Sequence, residues 1–103
     1  MEPICSSYED DPDMIEIVRD FVSDAPRRAE ELEEYLQSGD LSSLRTLAHQ
    51  LKGAGGGYGF DAITDRAAEL EGSLSDGADG TTVKDRCGAL CDTLRAVRAS
   101  EAG

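Results

Sequence analysis

The chain has no tryptophan, and its only aromatic side chains are three tyrosines and two phenylalanines. A core with so few large rings must be built from Leu, Ala, Val and Ile, which suits packed helices. Basic charge is also scarce. Ten Lys and Arg stand against 22 Asp and Glu, a formal net charge of −12. That field repels nucleic acid and anionic bilayers, so neither is an expected partner, and it favours a partner with a basic docking face. No apolar run is long enough to span a membrane. The N-terminal stretch MEPICSSYEDD has no basic n-region and no apolar h-region, so no secretion signal is expected. Three cysteines, Cys5, Cys87 and Cys91, are an odd number and make no disulfide framework, which points to a reducing cytoplasm. Alternating strand patterns are missing as well. A length of 103 residues leaves room for one modest core, so a single domain over residues 1–103 is expected.

What the chain does have is helical spacing, cut by turn residues. The breakers fall at Asp11-Pro12, Asp24 to Pro26, Ser38-Gly39-Asp40, Gly57 to Gly59 and Asp76 to Gly80. A short first helix over about 12–23 is predicted, with Asp11 as N-cap, Pro12 in the first turn, and Met14, Val18, Phe21 and Val22 on its apolar side. A second, about 25–38, is capped by Asp24, buries Ala29, Leu32 and Leu36, and stops at Gly39 as the C′ residue. Asp40 caps a third, striped by Leu41, Leu44, Leu47, Ala48, Leu51 and Gly55. Phe60, Ile63, Ala67, Leu70 and Leu74 define a fourth. A fifth starts near Thr81 or Thr82 and buries Val83, Cys87, Leu90, Leu94 and Val97. Short connections between helices imply antiparallel neighbours. The expected fold is therefore all-α: an antiparallel up-and-down four-helix bundle with a short additional N-terminal helix. Its ordered core covers about 12–99, between short flexible termini.

The most unusual stretch is HQLKGAGGGYGF, residues 49–60. It holds the only histidine, then Lys52, then five glycines within seven positions. Each glycine costs a helix roughly 0.5–1 kcal/mol relative to alanine. On a helical wheel His49 falls about 140° from Leu44, on the outward side, with Arg45, Lys52 and Gly53 as neighbours. Gly53, one turn on, leaves clear space beside the ring, and Lys52 can reach an anion carried there. A neutral imidazole is a competent nucleophile at pH 7, and phosphoryl transfer asks mainly for positioning and charge stabilisation. Gly55 lies on the core stripe, where it permits close approach of a neighbouring helix. Gly57 and Gly59 end the helix and turn the chain. The run is no nucleotide loop: in a Walker motif the lysine follows the last glycine, and Tyr58 breaks the G-x-G-x-x-G spacing.

These residues resemble a known family. LAHQLKGAGGGYGF is similar to the signature of histidine-containing phosphotransfer (HPt) domains, H-x-L-K-G-x-x-x-x-x-G, met at His49, Leu51, Lys52, Gly53 and Gly59. The five-helix layout matches across nearly the whole chain. The resemblance implies that His49 is the phosphoacceptor, that Lys52 neutralises the phosphate, that Gly53 gives the partner access and that Gln50 contacts phosphate or partner. Gly59 stays a structural turn. In the chemotaxis-kinase branch a glutamate on the following helix orients the imidazole, and counting along the motif places it at Glu71. A histidine that joins that network there is Ala68 here. The implied partners are response-regulator receiver domains and histidine kinases, met by a cytoplasmic monomer through an apolar patch in which Tyr58 and the first two helices are candidates. No cofactor is implied, and without a nucleotide-binding segment the chain is not expected to phosphorylate itself from ATP.

Other readings compete. A helical protein-binding adaptor would leave His49 chemically idle. A metal protein would use Cys87 and Cys91, one turn apart, but a lone pair without a second CxxC or His pair is not a ligand set; no metal site is expected. A hydrolase would need a paired base, a metal cluster or oxyanion donors that one exposed histidine does not bring.

Overall fold

The apolar stripe of the first 38 residues runs straight through the expected break at Pro26. The computed structural model, which describes residues 2–100, has one helix there, α1, Ile15–Ser38. Val18, Phe21, Ala25, Ala29 and Leu32 are all buried on its inner side. An interior proline costs a helix about 3 kcal/mol, while burying Val18 and Phe21 contributes about 1.5–3 kcal/mol each. The stripe stays in register only if the helix continues, and Pro26 is on the exposed side. Asp24 is not a cap. Its carboxylate accepts from Arg27 Nε at 2.7 Å and Arg28 Nε at 3.0 Å, the i,i+3 and i,i+4 pairs of an unbroken helix. The two N-terminal helices expected from the sequence are therefore one, and the extra short helix does not exist among the described residues. Asp11 instead accepts from the Asp13 N–H at 2.9 Å and closes a turn ahead of the helix, whose N-cap is Met14. Replacing Pro26 with alanine is expected to raise stability by about 1–3 kcal/mol, read as a higher urea midpoint. A lower midpoint would show that the proline stabilises the helix it sits in.

The remaining helices follow the sequence closely. Gly39 takes φ +75°, and Asp40 N–H returns to Tyr35 O, closing α1. Asp40 then accepts from Ser43 N–H at 3.1 Å and starts α2, Leu41–Gly57. Helix α3 spans Asp61–Ser75. Helix α4, Gly80–Ala96, is capped by Asp79, which accepts from Thr82 N–H at 2.8 Å. The four helices form a bundle in which α2 packs on α3, α3 on α4, α4 on α1 and α1 on α2. Leu32, Leu44, Leu51, Ile63, Leu70, Leu90 and Leu94 fill its centre. Cys87 and Cys91 belong to that core, their sulfurs facing the α1 carbonyls of Leu32 and Ala29. The adjoining Cys87 sulfur, and after it burial, pushes the Cys91 thiol up, so it stays protonated.

A short strand pair, unmarked by any alternating pattern in the sequence, joins the N-terminal segment to the end of α4. Ile4–Cys5 (β1) pairs in parallel with Val97–Arg98 (β2). Two residues per strand carry no periodicity to read. Next to them, Ser6 is buried, donates to Tyr58 O at 2.6 Å and accepts from Tyr8 N–H at 3.0 Å. The N-terminal segment thus fastens the α2–α3 connection to the end of α4. Gly59, at φ +81°, turns that connection where a Cβ would meet Ser6 and Ser7. Met1 and residues 101–103, part of the termini expected to be flexible, lie outside the described residues.

Candidate functional site

Helix α2 turns Leu44, Leu47, Ala48 and Leu51 inward, and this fixes what faces out. His49 is on the outer side with 68% of its side chain exposed. The ring is held at one edge. His49 Nδ1 lies 2.7 Å from Glu71 Oε2, and Lys52 Nζ donates to the other oxygen, Oε1, at 2.7 Å. One carboxylate from α3 therefore bridges both residues of α2.

The close approach of the two helices makes that bridge possible. An added Cβ at Gly55 would lie 2.6 Å from Thr64 Oγ1 and 2.7 Å from Thr64 N, so only a hydrogen fits there. Thr64, brought this near, donates its hydroxyl to Lys52 O at 2.8 Å. Glu71 stands two turns further along the same side of α3 and meets α2 at His49 and Lys52. Gly55, expected to permit close packing, thus sets the distance across which the site forms.

The electrostatics determine the tautomer. The Lys52 ammonium holds the Glu71 carboxyl below its usual range; burial opposes it, and the bond to His49, a smaller contribution, adds to the lowering. Glu71 is therefore a carboxylate at neutral pH and can only accept. His49 Nδ1 must carry the proton, which leaves the Nε2 lone pair of the neutral ring pointing away from α3.

The other sequence candidates fall around this trio. Gly53 is exposed, and nothing among the described residues lies within 4 Å of where its Cβ would be. The fold does not require a glycine there. Gln50 shares a shallow groove with His49, Glu71, Arg45, Ser42 and Thr46. Its amide forms no hydrogen bond among the described residues. Gly59 is in the turn below and is not part of the site. Ala68 is exposed on α3 and supplies no partner to the ring. Tyr58 is half-buried and stacks on Phe21 with ring centroids 4.6 Å apart, joining the end of α2 to α1. Ile17, one turn before Phe21, is 47% exposed. Arg45 is the residue that sequence reasoning noted only as a neighbour. It walls the groove on the N-terminal side of the ring.

No three or more His, Cys, Asp and Glu side chains gather to hold a metal among the described residues, and no helix there is long and apolar enough to cross a membrane. The family model described as Hpt domain matches residues 16–100. No curated protein and no solved structure matches the chain.

Proposed function

Since the chain belongs to the Hpt domain family, whose members are phosphotransfer modules of two-component signalling, we propose that it carries a phosphoryl group on His49 in a phosphorelay. The group arrives from a receiver-domain aspartate or a histidine kinase and leaves to a receiver aspartate. The observation that carries this reading is the half-held ring: Nδ1 is bound to Glu71 at 2.7 Å while the side chain is 68% exposed. Nε2 is then the nucleophile. Its lone pair forms a bond to phosphorus as the bond from phosphorus to the aspartyl oxygen breaks, and the electron pair leaves on the carboxylate. The ring gains positive charge as it attacks, and the Nδ1–H bond to a carboxylate stabilises that charge. Donation runs through the same steps in reverse.

The chain acts in this reading as one monomeric, cytoplasmic domain over residues 1–103 and not as a kinase. The ring of helix contacts and the short connections support an antiparallel up-and-down order. Gly53 leaves open the approach to the ring, and the Phe21–Tyr58 stack with exposed Ile17 supports docking of a receiver on the α1–α2 side.

The test is incubation with phosphorylated receiver domains, followed by mapping of the label. Acid-labile, base-stable label on His49 is expected; label elsewhere, or none from any charged donor, would end the proposal. Glu71→Gln removes the carboxylate from Nδ1. A hydrogen bond to a charged group contributes about 1.5–3 kcal/mol, so phosphoryl uptake is expected to slow about tenfold or more. Rapid-quench kinetics would show it. The sign of the pH dependence follows from the depressed carboxyl. The bridge adds stability above the ordinary carboxyl pKa of 4.5 and loses it as pH falls through the lower folded value.

A further inference from the structure

We propose that Arg45, and not Lys52, is the cation that holds the phosphoryl group on His49, with Lys52 positioning the ring through Glu71. The inference rests on the relay reading above and assigns the roles within its site.

Nδ1 of the ring is occupied by Glu71, so the new N–P bond forms at Nε2. Long side chains on a helix lean toward its N-terminus, over the preceding turn. On α2 the turn before His49 carries Arg45. The open groove beside the ring is walled there by Ser42, Arg45 and Thr46, and Lys52 is not part of that wall.

The two cations differ in what they are already doing. Lys52 Nζ is 2.7 Å from Glu71 Oε1. Arg27, Arg28, Arg66, Arg86 and Arg95 each lie within 3.0 Å of a carboxylate oxygen. Arg45 is exposed, and its guanidinium makes no hydrogen bond or ion pair among the described residues. It can turn to a new anion without leaving an old one. Lys52 could do so only by abandoning the carboxylate that fixes the imidazole.

Charge points the same way. Glu71, Lys52 and a neutral ring sum to zero. A phosphoryl group brings a charge of about −1.5 to −2 into a chain whose formal charge is −12. The free guanidinium is the nearby positive charge not already spent on another residue, and its planar fork suits two phosphate oxygens at once.

Phosphoramidate phosphorylates an exposed imidazole without any protein partner, so the full chain can be charged chemically and the phosphoryl group titrated by phosphorus NMR. A cation beside the group lowers its second pKa. Arg45→Gln is expected to raise that pKa by roughly half a unit to one unit, and Arg45→Lys should recover at least half of the shift. Lys52→Gln should move the phosphoryl pKa less and instead perturb the Nδ1–H signal of the uncharged protein. Arg45 is exposed and Lys52 half-buried, and unchanged thermal melts of both variants would confirm an intact fold. An unmoved phosphoryl pKa in Arg45→Gln, or a larger shift in Lys52→Gln, would overturn the assignment. The relay reading fails separately, if charged receivers never label a His49 that phosphoramidate does label.

Discussion

Replacing His49 with glutamine is expected to abolish phosphoryl uptake and leave the fold intact. The ring contributes little to stability. Most of its side chain faces solvent, and its one side-chain bond among the described residues is to Glu71, which also holds Lys52 at 2.7 Å and should keep it when the imidazole is gone. Exposed substitutions of this kind usually move stability by about 0.5 kcal/mol or less. The chemical loss is complete, because a carboxamide nitrogen has its lone pair delocalised into the carbonyl and does not attack phosphorus. Label from a charged receiver should therefore fall to background while the thermal midpoint stays within a few degrees. The same variant separates a relay from an adaptor. Receiver binding should persist in His49→Gln, since the docking side proposed on α1 and the end of α2 is untouched, and only transfer should stop. Label retained in the variant would move the acceptor to another residue and remove the basis for every role assigned around the ring.

The parts of this molecule that were legible in the sequence are those that follow from local chemistry. Asp40 and Gly39 announce a helix start and a helix stop within two residues, and both do so in the structure. The outward angle of His49 follows from 3.6 residues per turn and the inward stripe of Leu44, Leu47 and Leu51. Pro26 was misleading because the breaker rule is local, whereas the stripe from Val18 to Leu32 is buried in a helix that packs on α4 and α2. The bond from Ser6 to Tyr58 O joins positions 52 residues apart and has no periodic signature. Glu71 could be reached only by counting along a family motif; that its carboxylate bridges His49 and Lys52 depends on the separation of two helix axes, which no spacing within one helix encodes. Arg45 is harder still, since its interest lies in having no partner among the described residues, where most arginines have one.

Two glycines two residues apart should respond in opposite ways to the same substitution, and the contrast tests how the site is built. At Gly55 a methyl group would stand 2.6 Å from Thr64 Oγ1, 2.7 Å from Thr64 N and 2.9 Å from Phe60 O. Two of these are backbone atoms that cannot swing aside. Alanine there must push α3 away from α2, at a cost of about 1–3 kcal/mol from overpacking, and that outweighs its better helix propensity. At Gly53 a methyl group meets nothing among the described residues within 4 Å. Gly53→Ala is therefore expected to stabilise the isolated chain by about 0.5–1 kcal/mol, a rise of several degrees in thermal midpoint for a domain of this size. Function should divide along a different line. Gly55→Ala displaces Glu71 from His49 and slows uptake even from phosphoramidate, which needs no docking. Gly53→Ala leaves the ring and its carboxylate in place, so phosphoramidate should label it at the normal rate, while uptake from a charged receiver falls because the partner's active site meets the added methyl. Equal rates from both donors in Gly53→Ala would mean that this glycine guards no approach to the histidine, and the helical cost of keeping it would then have to be explained by something other than access.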